Sequence, residues 1–199
     1  MSIEKVLAKF NPKGCSYEQK VAHGGKPLLS VEDQIAAVGI TWKRSPVGFV
    51  LLFAEVLNDK TVRYDLNYAA LIELQLVLNN WRGSYGEYVS GAIAKAAVDE
   101  ALTLNGQICG ECNGAGVLKD KKRNSRPCQA CDEGRVKWDK DSRYARFCHY
   151  LPTKRERYES FYPYHESILK WLRGEREAAL LAIQARMKAE YEEAEKAVS

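Results

Sequence analysis

The stretch that decides the fold reads Cys109-Gly-Glu-Cys-Asn-Gly-Ala-Gly116 and, further along, Cys128-Gln-Ala-Cys-Asp-Glu-Gly134. Its cysteines follow the spacing C-x2-C-x15-C-x2-C, which is typical of four-cysteine zinc sites. A C-x2-C turn sets two thiolates about as far apart as two corners of a tetrahedron, and a hairpin joining two such turns completes the coordination sphere. The sequence therefore predicts one structural Zn2+ ion, with the ligands Cys109, Cys112, Cys128 and Cys131.

Two other interpretations of these cysteines stay open at this point: two unrelated thiol pairs, or a C-x-x-C redox pair. Two matched pairs at zinc spacing favour the metal site. The first ten residues lack the uninterrupted apolar segment of a secretory signal, so we expect an intracellular protein with reduced thiols. Cys15 and Cys148 are expected to be small buried hydrophobes or free thiols.

The charge is unevenly distributed along the 199 residues, although the net total is only +4. Residues 1–108 are neutral, residues 109–158 carry a net +6, and residues 159–199 carry a net −2. Four thiolates around Zn2+ reduce the central charge by two, and the block stays basic. A basic block around a metal module favours contact with nucleic-acid phosphates.

Two basic stretches supply the candidate DNA-binding side chains. The first is the bridge between the cysteine pairs, which alternatively forms only a solvated hairpin tip. The second is a predicted short helix at 142–150 with its flanks, where cations and a tyrosine recur at i, i+3 and i+4, as expected of a helix in a major groove. An ordinary surface helix is the alternative. The candidates are Lys119, Lys121, Lys122, Arg123, Arg126, Lys140, Arg143, Tyr144, Arg146, Lys154, Arg155 and Arg157.

Apolar periodicity predicts that the rest of the chain is helical. We expect Ala145, Phe147, Cys148 and Leu151 on the inward side of the basic helix. Ser30 is a predicted helix N-cap. Further helices are predicted at 46–57, 62–81, 85–104, 163–172 and 175–197.

Strand signals are nearly absent outside the cysteine segment. The predicted fold class is therefore all-α: a helical body with an inserted four-cysteine zinc-binding module and a helix-turn-helix-like DNA-binding element. Its predicted parts are a flexible N-terminal arm (1–30), a helical body (31–108), the zinc module (109–138), and the basic DNA-binding helix with the C-terminal helices (139–199).

Several function classes are not supported by the sequence. Phosphate-binding, dinucleotide-binding, nucleophile-elbow and H-E-x-x-H motifs are missing, and no histidine–carboxylate cluster suggests acid–base chemistry. We therefore expect a protein that is not an enzyme. The longest apolar uncharged run, 45–54, has about ten residues, whereas a membrane span needs roughly 20. A membrane partner is not expected.

The two cysteine motifs, followed by the basic stretch Ser142-Arg-Tyr-Ala-Arg146, resemble the zinc-containing type of late-gene antitermination protein Q of lambdoid phages. The order of elements is similar as well: an N-terminal arm, small helices, the zinc module, a short helix and C-terminal helices. The resemblance covers roughly residues 31–183. It is specific around the module and architectural elsewhere.

This resemblance implies a DNA-bound transcription antitermination factor in the host bacterial cytoplasm. It implies that the zinc module is inserted between two helices, ending near Leu104 and spanning 142–150, which act together as a helix-turn-helix-like reader. The implied partners are duplex DNA near a late promoter, bound by one copy or more, and bacterial RNA polymerase paused with its sigma factor. By position, the leading DNA candidates become Lys140, Arg143, Tyr144 and Arg146.

A second family shares part of the pattern. The C-x-x-C-x-G-x-G motif also occurs in the cysteine-rich region of DnaJ-type chaperones, which carry four such repeats and two zinc sites. This chain has two C-x-x-C pairs and lacks the His-Pro-Asp tripeptide of those chaperones. The alternative function is thus a zinc-stapled chaperone-like or protein-interaction module.

Overall fold

The computed structural model describes residues 36, 39, 41–57, 62–79, 86–103, 105–119 and 124–198. The described residues are mostly helical, which confirms the predicted helical class. The predicted arm at 1–30 and the helix start at Ser30 lie outside the described residues. A 3-10 helix covers Trp42–Arg44. The α-helices are α1 (Pro46–Leu57), α2 (Val62–Leu78), α3 (Glu87–Ala101), α4 (Lys140–Tyr150) and α5 (Arg155–Val198).

The chain forms two compact units. One comprises the described residues up to Leu66 together with those from Trp171 onward, and the other runs from Asn67 to Lys170. The second unit contains the cysteine segment, α3, α4 and the first four turns of α5. The candidate DNA-binding side chains that the structure describes belong to this second unit.

In the first unit, the start of α1 packs against the middle of α5. The Ser45 hydroxyl donates to the backbone carbonyl of Glu175 at 2.9 Å and to its carboxylate at 2.7 Å. Gly48 lies so close to the same carbonyl that a Cβ at this position would collide with it. The buried apolar side chains of this unit include Phe49, Leu51, Leu52, Leu172, Ala179 and Ile183.

In the second unit, an aromatic core forms between α4 and the first turns of α5. Phe147 is fully buried, and its ring centroid lies 5.1 Å from that of Tyr158 and 6.3 Å from that of Phe161. The prediction that Phe147 points inward is confirmed. The prediction is wrong for Ala145, which is exposed, because a different face of α4 packs inward.

Helix α5 is one continuous helix of 44 residues, and the predicted break between 172 and 175 is wrong. It contains Pro163, which lacks the N–H for a helical hydrogen bond, and Gly174. Pro163 itself is exposed. Buried residues recur every three or four positions before Gly174 and again after it, with Leu172 and Ala179 seven positions apart across it. This packing outweighs the weak local preferences. The buried residues of α5 include Tyr158, Phe161, His165, Ile168, Leu172, Ala179, Ile183 and Met187.

The strands of the described residues are short and lie in the predicted module (109–138) or, for one of them, immediately before it. Strands β1 (Gln107–Ile108) and β4 (Arg135–Val136) pair antiparallel. Strands β2 (Val117–Lys119) and β3 (Ser125–Pro127) form a second antiparallel pair.

None of the described helices combines the length and the apolar character needed to cross a bilayer.

Candidate metal centre and the helix that follows it

The two cysteine motifs form two tight turns, each entered from a strand. Backbone bonds from the Cys109 N–H to the Gly134 carbonyl and from the Cys128 N–H to the Gly116 carbonyl tie the turns together, both at 2.9 Å. Gly134 has a φ of 89° and lies against the carbonyl of Gly114, where no Cβ fits. Its place in the second turn is therefore restricted to glycine.

The four cysteine sulphurs meet at one point. All lie within 4.8 Å of one another. The Sγ atoms of Cys109 and Cys128 are 3.9 Å apart, and those of Cys112 and Cys131 are 3.6 Å apart. A tetrahedral site with metal–sulphur bonds of about 2.3 Å has sulphur–sulphur distances of about 3.8 Å. The cluster is therefore compatible with a single metal ion, and the structure brings all four predicted ligands together.

The cysteines are free thiols, since these separations are far longer than the S–S bond of a disulfide, about 2.05 Å. Three of them make up the buried centre of the segment, and among the described residues Leu118, Cys131 and Val136 are the partly buried apolar side chains that pack against it. Such a core is too small to hold the segment folded by itself. Bonds from the four sulphurs to a metal ion would supply the stabilisation that this small apolar core does not.

The thiols differ in how readily they ionise. Burial opposes ionisation of Cys112, but hydrogen bonds from the Gly116 backbone and from the neighbouring thiols outweigh it and lower its pKa to about 7. Burial and the adjacent sulphurs raise the pKa of Cys131 to about 12. One thiolate thus forms near neutral pH, and its negative charge opposes ionisation of the other cysteines. A bound cation offsets this repulsion between thiolates.

The cysteine segment joins the end of α3 to the start of α4. Pairing of β1 with β4 closes the segment at its base. The Trp138 indole N–H donates to the carbonyl of Thr103 at 2.9 Å, so the chain leaves the segment beside the point where it entered. The ends of α3 and α4 are consequently held side by side.

Helix α4 begins two residues earlier than predicted, at Lys140. The Asp139 carboxylate accepts a hydrogen bond from the Ser142 N–H at 2.7 Å, and the Ser142 hydroxyl accepts one from the Asp139 N–H at 2.8 Å. This reciprocal capping box satisfies two orphan N–H groups of the first turn. Hydrogen bonds from the Ser142 backbone and hydroxyl lower the pKa of Asp139.

A buried ion pair joins α4 to α3. The Arg143 guanidinium donates to both carboxylate oxygens of Glu100 at 2.7 Å, and the Glu100 side chain is fully buried. Arg143 also donates to the Tyr162 hydroxyl at 2.7 Å, and that hydroxyl donates to Glu166 at 2.7 Å. The hydrogen bonds to Glu100 raise the pKa of Arg143. This bidentate geometry is the strong form of a charge-assisted bond.

The geometry revises the expectation that Arg143 contacts DNA. The guanidinium group of Arg143 donates hydrogen bonds to Glu100 and Tyr162, and it lies 3.5 Å from the carboxylate of Glu166. The side chain faces inward because a buried carboxylate without a cation is costly, so Arg143 holds α4 in place. Its contact with DNA stays a prediction.

Tyr144 and Arg146 are also engaged within the unit. The Tyr144 hydroxyl donates to the Thr153 carbonyl at 2.8 Å. Arg146 donates to the Gln107 side chain at 3.2 Å and lies 3.5 Å from the Asp99 carboxylate. Both side chains therefore position α4 against its neighbours, and both are only partly exposed.

The other candidate DNA-binding side chains differ in their contacts and exposure. Lys140 lies over the Tyr162 ring at 5.5 Å, and Arg155 pairs with Asp141 and Glu159. Lys140 and Arg155 also line a cleft of about 320 Å³ with Tyr158, Glu159 and Tyr162. The exposed candidates for which no ion pair is seen among the described residues are Lys119, Arg126, Lys140, Lys154 and Arg157. Lys121, Lys122 and Arg123 lie outside the described residues.

Sequence reasoning missed the acidic partners of α4. Asp99 and Glu100 lie on a mostly alanine-rich helix, and two adjacent acids in a buried stretch are the signal that predicts inward-facing cations elsewhere.

The sequence assigns no role to His165. It is almost fully buried, its Nδ1 lies 3.1 Å from the Tyr158 hydroxyl, and its Nε2 lies 4.0 Å from Glu100.

No protein-family model matches this chain, and no curated protein matches its sequence. The similarity to the antitermination proteins thus depends on the cysteine motifs and the basic stretch quoted above.

Replacing one ligand tests the metal centre. We expect about one zinc per wild-type chain by elemental analysis. The Cys128→Ser variant should lose the ion together with the fold of the cysteine segment. Cys148→Ser is the matched control, since that thiol lies outside the cluster and contacts the Thr153 carbonyl. Full zinc content in Cys128→Ser contradicts the ligand assignment.

Replacing Arg143 tests the buried ion pair. Arg143→Met should lower the free energy of unfolding by about 3–5 kcal/mol, because it removes the guanidinium that donates to both oxygens of the buried Glu100 carboxylate. The double variant Glu100→Met/Arg143→Met should recover most of that loss in urea unfolding. Lys140→Met on the same helix should cost less than about 1 kcal/mol. Equal losses for Arg143→Met and Lys140→Met disprove the structural role of Arg143.

His165 predicts a pH dependence of stability. Burial, with a contribution from Arg143, lowers its pKa to about 4, whereas an unfolded histidine titrates near about 6.5. Between these values the unfolded chain binds the additional proton, so stability falls as the pH falls from about 6.5 to about 4. The His165→Gln variant should show a flatter dependence in urea unfolding over this range. Parallel pH profiles for the two proteins contradict the assignment.

Proposed function

We propose that this chain is a DNA-binding transcription antitermination factor, which engages RNA polymerase paused near a promoter and lets it read through terminators during phage late-gene expression. The observation that carries the proposal is the four-cysteine centre inserted between α3 and α4. In this placement a metal ion fixes two helices beside a basic surface. The order of these parts is the one that the sequence resemblance implies.

We propose Zn2+ as the ion. Four thiolates form a soft donor set, and the sulphur separations of 3.6 and 3.9 Å suit a closed tetrahedral site. A closed site of four protein ligands has no position for a substrate water, so the ion has a structural role. We accordingly propose a protein that is not an enzyme and that works in the host bacterial cytoplasm.

Helices α3 and α4 form the proposed helix-turn-helix-like reader. The Glu100–Arg143 pair and the β1–β4 ladder support this proposal, because they fix α4 against α3 at two places. The DNA contacts differ from those expected from position alone. Arg143, Tyr144 and Arg146 orient the reader, and the phosphate contacts are proposed for the exposed cations Lys119, Arg126, Lys140, Lys154 and Arg157.

Salt-dependent DNA binding tests this surface. If about five phosphates are contacted, log Kobs should fall against log salt with a slope of about −4 to −5. Lys119→Ala and Arg126→Ala should each weaken all DNA similarly and reduce the slope by about one. Lys196→Ala, an exposed cation of the acidic C-terminal segment, is the control that should change neither. A DNA interaction that is undetectable or independent of salt disproves DNA binding.

The transcription step is tested in a run-off assay with a terminator downstream of the promoter. Read-through that requires both the protein and one promoter region supports the proposal. The alternative is a zinc-stapled chaperone-like or protein-interaction module. Suppressed aggregation of an unfolded client protein, without read-through, supports that alternative and contradicts the antitermination role.

A further inference from the structure

Helix α2 carries an apolar stripe on its exposed side. Tyr64, Tyr68, Ile72 and Leu76, here called the α2 stripe, retain 76, 61, 45 and 60% of their surface exposed. They recur every four residues and so form one ridge along a helix. The opposite side of α2 is buried through Leu66, Ala70, Leu74 and Leu78. No described part of the chain covers the α2 stripe.

The chemistry of the α2 stripe suits a protein partner better than DNA. Arg63 is the only cation in α2, whereas DNA binding needs several. Tyrosines and aliphatic side chains with little charge among them are typical of the central part of protein–protein interfaces. A contiguous exposed patch of this kind marks an interaction site.

We propose that the α2 stripe is the docking face for a second copy of this chain, with the two α2 helices packed antiparallel around a two-fold axis. Ridges of residues four apart pack into the matching grooves of an identical helix at a crossing angle of about −50°. A two-fold interface requires one patch to be complementary to itself. Centred between Tyr68 and Ile72, this pairing sets Tyr68 against Ile72 of the other copy and Tyr64 against Leu76.

The arrangement of residue types favours this antiparallel pairing. The tyrosines occupy the N-terminal half of the α2 stripe and the aliphatic residues occupy the C-terminal half. Each ring therefore meets an aliphatic side chain of the other copy, whereas a parallel pairing sets tyrosine against tyrosine. At the flank, the exposed acid Asp65 faces the exposed amide Gln75, so the two copies do not bring like charges together.

The area is sufficient for a weak dimer. A fully buried tyrosine contributes about 150–250 Å², so the four partly exposed side chains offer on the order of 400 Å² per copy. Flanking atoms bring the total for two copies close to the roughly 1,000 Å² at which specific interfaces begin. We expect a dimer with a Kd on the order of 10 µM. This dimer is independent of the proposed DNA function.

Sedimentation equilibrium of the full, zinc-loaded chain tests the dimer. The wild type should dimerise with increasing concentration, and Ile72→Arg should weaken the association at least tenfold, because it sets a cation at the centre of the contact. The matched control is Leu181→Arg, at an exposed leucine of α5, which should dimerise like the wild type. Unchanged circular dichroism and zinc content show that each variant is folded.

A charge-swap experiment tests the pairing itself. Tyr68→Glu and Ile72→Arg should each be monomeric alone, and an equimolar mixture should form a heterodimer, because Arg at 72 of one copy then faces Glu at 68 of the other. A mixture that stays monomeric overturns the antiparallel pairing. A wild type that is monomeric at about 200 µM, well above the expected Kd, overturns the proposal. Loss of RNA polymerase binding by Ile72→Arg in such a monomer assigns the α2 stripe to that partner instead.

Discussion

The four sulphurs of the cysteine segment lie within 4.8 Å of one another, a distance at which several thiolates coexist only around a cation. The segment offers little else to stabilise it, since three of its buried side chains are the ligands themselves. Metal binding of this kind supplies about 10–16 kcal/mol to segments that do not fold alone. The two turns carry these four sulphurs, and the two short strand pairs link the turns to each other and to α3 and α4.

The second constraint is the buried pair of Glu100 and Arg143. The strand ladder fixes where α4 begins, and the ion pair fixes which of its faces packs inward. A buried carboxylate without a cation is costly, and this directs Arg143 inward to Glu100. Asp99 accepts a hydrogen bond from the Tyr150 hydroxyl and lies 3.5 Å from Arg146. The cations of α4 are therefore mostly structural. Among the candidate DNA-binding cations, the exposed ones without an observed ion pair lie on the cysteine segment, at the first residue of α4 and around the start of α5.

Which features can be predicted from the sequence depends on how few neighbouring residues determine each of them. The C-x2-C pairs depend on a few consecutive residues, and the structure brings together all four predicted sulphurs. The bounds of α1 were also predictable, because Pro46 begins an uninterrupted apolar period. The orientation of α4 was not, since a pattern of Arg143, Tyr144 and Arg146 on one face does not show whether that face meets water or a buried acid far away in the chain. The predicted helix start at Pro163 is wrong for a related reason. Proline has a low local helix propensity, whereas the buried side chains before and after it stabilise one continuous helix.

The central claim is that one ion bonded to four sulphurs organises the second unit. X-ray absorption at the zinc edge of the purified chain measures this directly. The account predicts about one zinc per chain in a single shell of four sulphur atoms at about 2.3 Å. A shell containing nitrogen or oxygen ligands, or zinc well below one per chain in folded protein, contradicts it.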